Sequence, residues 1–238
     1  VSFGLVGIPL IFILKQPDLS TTIVTAIIFV ALLFIAGLSY KIVVTVLAIA
    51  VPSLIVAFMY VVQLAKSTSA SYPYQLDRIM AWLYPDDPRW AGKAIQQKNA
   101  IMAIGSGQLW GKGLNNSEAT SMLNTNYILE PQTDFIFAVI GEELGFFGCA
   151  VVVVLLFLTV VECIYIGSRA KDLQGRLLCC GMATWIGFQS FVNIGVNTGL
   201  LPNTGVPLPF VSYGLSSVLA IYIGMGFVLN VGLQPKKY

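Results

Sequence analysis

The sequence predicts an all-α, polytopic transmembrane bundle, and three observations predict it. Of 238 residues, 57% are hydrophobic and only 10% are charged, against about 25% charged in an ordinary soluble domain. The mean hydropathy is +0.82. The apolar residues sort into runs long enough to cross a bilayer, which takes roughly 20 residues of helix, and half of the charged residues are gathered into the single segment 65–134. Histidine is absent. That excludes His-based triads, His metal sites and a His proton shuttle within this chain, and leaves carboxylates as the natural proton acceptors. The net charge of +2 is too small to point to nucleic acid.

The runs predict helices over 1–14, 19–40, 42–64, 135–166, 177–200 and 212–233, all within one domain, 1–238. The first run begins at Val1 with no basic segment before it, so it reads as a span cut short and not as a signal peptide. Lys15, Gln16, Pro17 and Asp18 separate the first two spans. Tyr40 and Lys41 separate the next pair. The fourth and fifth are parted by Arg169, Lys171, Asp172 and Arg176.

Lys41, the 169–176 loop and the terminal Lys236 and Lys237 fall on one side if the helices alternate. Basic short loops mark the cytoplasm. The opposite, outer side then holds Asp18, the long 65–134 loop and the 201–211 loop. Long loops translocate largely regardless of charge, so the bases of 65–134 do not oppose this. Trp82, Trp90 and Trp110 suit a loop resting at the membrane interface. The cysteines Cys149, Cys163, Cys179 and Cys180 lie in apolar stretches and read as small buried residues.

Polar motifs gather at the outer ends of the spans. Glu130-Pro131-Gln132-Thr133-Asp134-Phe135-Ile136-Phe137 leads into Gly141-Glu142-Glu143-Leu144-Gly145. A second motif runs from Gly199 through Pro202, Asn203, Gly205, Pro207 and Pro209 to Ser212-Tyr213-Gly214. A third is Gln16-Pro17-Asp18-Leu19-Ser20-Thr21. At these residues the chain resembles the SEDS family of RodA, FtsW and SpoVE proteins, over its whole length, as the last six of that family's ten helices. Ser20 and Leu129 depart from the family's usual residues. Leu215 and the 111–116 segment are most similar to RodA-type proteins of Gram-positive, clostridia-like bacteria.

The resemblance implies a peptidoglycan glycosyltransferase of the bacterial plasma membrane. It would polymerise lipid II outside the membrane during wall elongation, beside a class B penicillin-binding protein. The resemblance makes Asp134 the catalytic residue. A carboxylate at the headgroup level can take the proton of an incoming sugar hydroxyl, which is worth roughly 10²–10⁴-fold. The plain alternative is that Asp134 caps a helix. Glu130 could orient the acceptor, hold a divalent cation (Mg or Mn), share charge with Asp134 or simply be solvated. No cofactor is otherwise implied.

Glu142 and Glu143, counted along an unbroken helix from 135, lie about 10 Å deep. There they line a polar cavity or form a structural ion pair. Gly141, Gly145 and Gly148 allow close packing or a kink. Positive charge for a leaving pyrophosphate is available from Arg78, Arg89, Lys93, Lys98 and Lys112. Lys93 and Lys98 sit on an amphipathic-looking stretch, 91–104, suited to the membrane surface. The glycines that follow (105, 107, 111, 113) read as a flexible loop. Thr133, Ser212 and Asp18 are further candidates to support the site. Asn193 and Asn197, one turn apart, read as polar glue between helices. Two other readings are a lipid II flippase, with Glu142 and Glu143 marking its path, and a non-catalytic scaffold for the penicillin-binding protein.

Overall fold

The computed structural model describes residues 19–39, 74–114 and 132–234, with isolated positions 41, 44, 45, 48, 52, 56, 59 and 63. The described residues form six helices: α1 (Leu19–Ile35), α2 (Tyr74–Leu83), α3 (Ala91–Ser106), α4 (Ile136–Ser168), α5 (Leu173–Asn197) and α6 (Leu215–Leu233). No strand occurs among them. The expected span 1–14, Asp18 and Glu130 lie outside the described residues, as does most of 42–64, whose described positions are helical.

Three helices, α4, α5 and α6, are long and apolar enough to cross a membrane. Only 11% of the most apolar window of α4 is buried inside the protein, and Val151, Val154, Leu155 and Phe157 stand exposed on it. A surface of that kind is suited to lipid, not water. By contrast α5 is the interior helix. Asp172 caps it, its side chain accepting from the Gly175 N–H at 2.9 Å, which satisfies a donor that a helix start leaves open. Its buried residues include Gln189, Ser190, Asn193 and Asn197. α4 packs along α5, α3 packs on α4, and α1 on α5. The main core joins Phe137, Cys149, Leu156, Cys163, Cys179, Met182, Ile186 and Leu208; the cysteines are free thiols.

Two expectations for the long loop are corrected. The 91–104 stretch does not simply lie on a membrane surface. It is the core of α3, which buries Ala94, Gln97, Asn99, Ala100 and Ala103 against Phe135, Ala138 and Val196. Nor do the tryptophans share one role. Trp90 is buried, and the Trp82 indole donates to the Gly199 carbonyl at 2.8 Å. Only Trp110, 79% exposed and stacked at 4.7 Å on Phe147, has the exposure of an interface anchor.

α4 is one helix only by name. Gly145 interrupts it at φ 65°, ψ −161°, a conformation open essentially to glycine alone. The full 33 residues would measure about 50 Å, but the arm 146–168 alone reaches about 34 Å, enough for a bilayer. Val160 faces Gly187, and Gly167 faces Cys179. This antiparallel register brings the last turn of α5 level with the first turns of that long arm. Yet Asn197, in the last turn of α5, bonds Asp134 and Ala138. The short arm 136–144 is therefore bent back towards α5. The depth counted for Glu142 and Glu143 along an unbroken helix no longer applies.

Candidate functional site

Asp134 sits in the turn that leads into α4, half-buried, with Phe135 fully buried behind it. Its main chain is clamped from α5. The side-chain amides of Asn193 and Asn197 both donate to the Asp134 carbonyl, at 2.9 and 3.1 Å. Asn193 also donates to the Val206 carbonyl at 2.7 Å, tying the proline-bearing loop to the same point. One residue earlier, the Ser212 hydroxyl donates to the Thr133 carbonyl at 2.6 Å and accepts from the Leu208 N–H at 2.6 Å. The Tyr213 N–H donates to the Gln132 carbonyl at 2.9 Å. The turn 132–135 is thus held on both sides, so its carboxylate points from a fixed backbone.

The same contacts bear on the capping alternative for Asp134. Phe135 occupies the cap position without a side-chain bond. The Ala138 N–H donates to the Phe135 carbonyl at 3.0 Å and to the Asn197 Oδ1 at 3.2 Å. Asp134 is left to face Gly205. A side-chain carbon at Gly205 would lie 3.4 Å from the Asp134 Oδ2 and 3.5 Å from the Arg78 Nη1. The carboxylate and the guanidinium both border the space that a side chain at Gly205 would take. Arg78 reaches it because α2 leans on the 199–205 loop: Trp82, one turn on, holds Gly199, and the Arg78 Nη1 donates to the Asn203 carbonyl at 3.5 Å.

The lysines are deployed elsewhere. Lys93 pairs with Asp77, Lys98 with Asp86 at 2.6 Å and Lys112 with Glu142 at 3.0 Å. Arg78 is the base that the fold brings to Asp134. Nothing in its local sequence sets it apart from Arg89, which is occupied by Asp87 at 2.8 Å.

Glu142 belongs to a second polar centre, at the Gly145 break. The segment 107–113 supplies the hydrogen bonds that the break removes from α4. The N–H groups of Lys112 and Gly113 donate to the carbonyls of Glu142 and Glu143, at 2.9 and 3.0 Å. The N–H groups of Phe146 and Phe147 donate to the carbonyls of Gln108 and Leu109, at 2.8 and 3.3 Å. The approach is so close that a side chain at Gly107 or Gly111 would collide with the backbone at Gly141 or Glu143. The expected flexible loop is therefore a backbone splice. Glu142 is 1% exposed beneath it, with Lys112 as its counter-ion, while Glu143 is half-buried.

A family model of FtsW, RodA and SpoVE proteins, described as cell cycle protein, matches residues 1–237. The chain belongs to this family. Among its relatives, proteins named probable peptidoglycan glycosyltransferase FtsW are 37% identical in Nitrosomonas europaea and 39% in Burkholderia thailandensis, each over 98% of this chain. The chain spans 57% and 47% of their lengths, about half of each relative. Among solved structures, a peptidoglycan synthase complex, described as coordinating polymerization and crosslinking, superposes with a TM-score of 0.66 at 26% identity, over 97% of this chain and 59% of its own. The rod shape determining protein RodA of Thermus thermophilus shares the fold, with a TM-score of 0.58 at 24% identity over 98% of this chain and 58% of its own.

In this SEDS chain the described site therefore comprises Asp134, Thr133, Ser212 and Arg78. Lys93 stands at its edge, Lys98 lies in the α2–α3 region, and Lys112, Glu142 and Glu143 form the separate splice. A divalent cation finds no group of three acidic or cysteine side chains among the described residues.

Proposed function

We propose that the protein to which this chain belongs is a peptidoglycan glycosyltransferase. It polymerises lipid II at the outer face of the plasma membrane and works with a class B penicillin-binding protein. The relatives named above support the activity, and the basic loops at Lys41 and 169–176 support the orientation. The observation that carries the mechanism is the clamped, half-exposed Asp134, with Arg78 bordering the same space at Gly205.

In the proposed step a sugar hydroxyl of the acceptor attacks the anomeric carbon of the donor. The new glycosidic C–O bond forms as the bond to the pyrophosphate oxygen breaks. The hydroxyl proton goes to the Asp134 carboxylate, and the electron pair leaves with the polyprenyl pyrophosphate. Arg78, which borders the same space at Gly205, is the group assigned to the negative charge that collects on that leaving group, since a fixed donor there lowers the barrier without reorganising. The relatives cited bear the FtsW name, which leaves a role specific to elongation without support from them. The flippase reading loses Glu142 from its path, because that acid is sealed under the splice and paired with Lys112.

The test is glycan synthesis from lipid II by the full-length protein with its penicillin-binding partner. Asp134→Asn should lower turnover by roughly 10²–10⁴-fold with the protein still folded and partner-bound. Near-normal synthesis by that variant would remove Asp134 from the chemistry.

A further inference from the structure

The splice at Gly145 carries a surface that the proposed reaction does not use. Leu109, Trp110 and Leu114 on the loop side, and Leu144, Phe146 and Phe147 on α4, stand 41% to 79% exposed. The Trp110 ring lies 4.7 Å from that of Phe147, which meets Phe146 edge-on at 6.2 Å. An apolar surface of this kind in contact with water is a liability, and it marks something that covers it.

Three observations say that the cover is lipid. First, the patch continues a lipid-facing surface. Phe146 and Phe147 open the arm 146–168, which is long enough to cross a bilayer, and the exposed Val151, Val154 and Leu155 follow them on it. The patch therefore lies at the edge of the hydrocarbon, on the side of the Asp134 turn. Second, the loop backbone is paired inside the protein. The N–H groups of Gly107, Gln108, Gly111, Lys112 and Gly113 all donate to backbone carbonyls. Non-helical backbone is tolerated at membrane depth where the protein itself meets its hydrogen bonds, and a loop bathed in water has no such need. Third, the charges are withdrawn. Lys112 is paired with the buried Glu142 at 3.0 Å, Glu143 is half-buried and likewise engaged, and the polar side chain exposed beside Trp110, that of Gln108, is neutral.

We propose that segment 107–114 is a re-entrant element of the membrane domain, with Leu109 and Trp110 seated among the lipid chains of the leaflet on the side of Asp134. The ligand of this surface is the bilayer itself, at the boundary of headgroups and acyl chains where an indole ring is most at home. The pairing at the Gly145 break then has a second purpose: it lets a loop enter lipid without carrying unmet donors or a free charge with it. The assignment holds whichever reaction the protein performs.

The test reads the surroundings of one ring. The full-length protein, alone and in complex with its penicillin-binding partner, is placed in nanodiscs whose phosphatidylcholine carries bromine high on its acyl chains. Trp110 emission is isolated as the difference between wild type and Trp110→Phe, a variant that keeps a ring against Phe147. It should lose about half of its intensity or more to the brominated lipid, as an indole at the interface, and little to aqueous iodide. Leu109→Trp, made in the Trp110→Phe background at a side chain that is also exposed, should respond in the same way. Quenching by iodide with none by brominated lipid, at either position, would overturn the proposal. So would lipid quenching that disappears when the partner binds, since the patch would then be a protein interface. None of these readings depends on turnover, so failure here leaves the role of Asp134 standing, and normal synthesis by Asp134→Asn leaves the lipid contact standing.

Discussion

The turn at Asp134 and the splice at Gly145 are both breaks in regular structure, mended in opposite ways. At Asp134 side chains do the mending: Asn193, Asn197 and Ser212 bond backbone carbonyls, and the carboxylate stays half-exposed. At Gly145 backbone mends backbone through segment 107–113, and the one acid inside is sealed with a lysine. A non-glycine residue sits at positive φ beside each: Phe210 (65°) in the loop over Asp134, and Gln108 (52°) in the splice. Both regions store strain, which commonly marks functional sites. Burial separates them. An acid that must meet a substrate has to be reachable, and Glu142, at 1% exposure, is not. The first region reads as chemistry and the second as architecture that holds the first in place.

The sharpest way to break that division is to move charge in the splice. Lys112→Met leaves Glu142 buried without its counter-ion, and such a loss typically costs about 3–5 kcal/mol. Equilibrium unfolding of the full-length protein in mixed micelles should show a destabilisation of that order. The double variant Lys112→Met, Glu142→Gln should recover most of it, together with activity. If Glu142→Gln alone abolished glycan synthesis at unchanged stability, Glu142 would belong with Asp134 and the division would fail.

Next in size is Gly145→Ala. The added methyl would meet the Gly111 N and the Leu109 carbonyl in a backbone conformation that L-residues avoid. The strain alone costs on the order of 1–3 kcal/mol. The thermal midpoint should fall and turnover should fall with it, since the short arm carries Asp134. A straight, fully active α4 in this variant would show that the break is dispensable.

Asn197→Ala reverses the balance. It removes one acceptor of the Ala138 N–H and one donor to the Asp134 carbonyl. Lost caps cost about 1 kcal/mol, but a shift of about 1 Å in a reacting group can cost about 10²-fold in rate. We expect kcat to fall more than tenfold with KM little changed and stability down by about 1 kcal/mol. Equal losses in KM and kcat would make Asn197 a substrate contact and not a clamp.

How much of this was legible in the sequence follows from the same contrast. Apolar runs over 135–166, 177–200 and 212–233 anticipate α4, α5 and α6 to within a few residues, because lipid-facing helices must be apolar throughout. α3 shows in the sequence as the amphipathic-looking stretch 91–104, but its packing does not, since the stripe it buries is Ala94, Gln97, Asn99, Ala100 and Ala103, small residues and amides. Gly141, Gly145 and Gly148 all signal a kink or close packing. Which one breaks depends on segment 107–113 arriving from far along the chain. Asp134 stood out by motif. Arg78 did not, because its role exists only once the 199–205 loop folds onto α2.

The smallest expected effect lies outside both regions and sets their baseline. In the turn between α2 and α3, hydrogen bonds from the Arg89 side chain and N–H hold the Asp87 carboxyl below its ordinary range. A depressed carboxyl contributes its stability fully above the ordinary value of about 3.9 and loses it as pH falls through the lowered folded value. Between pH 5 and 8 this pair is therefore constant, and exposed pairs are weak in any case. Thermal midpoints of wild type and Asp87→Asn should differ by a small, fixed amount over that window and converge in stronger acid. A difference that instead varied between pH 5 and 8 would mean that Asp87 couples to one of the two centres.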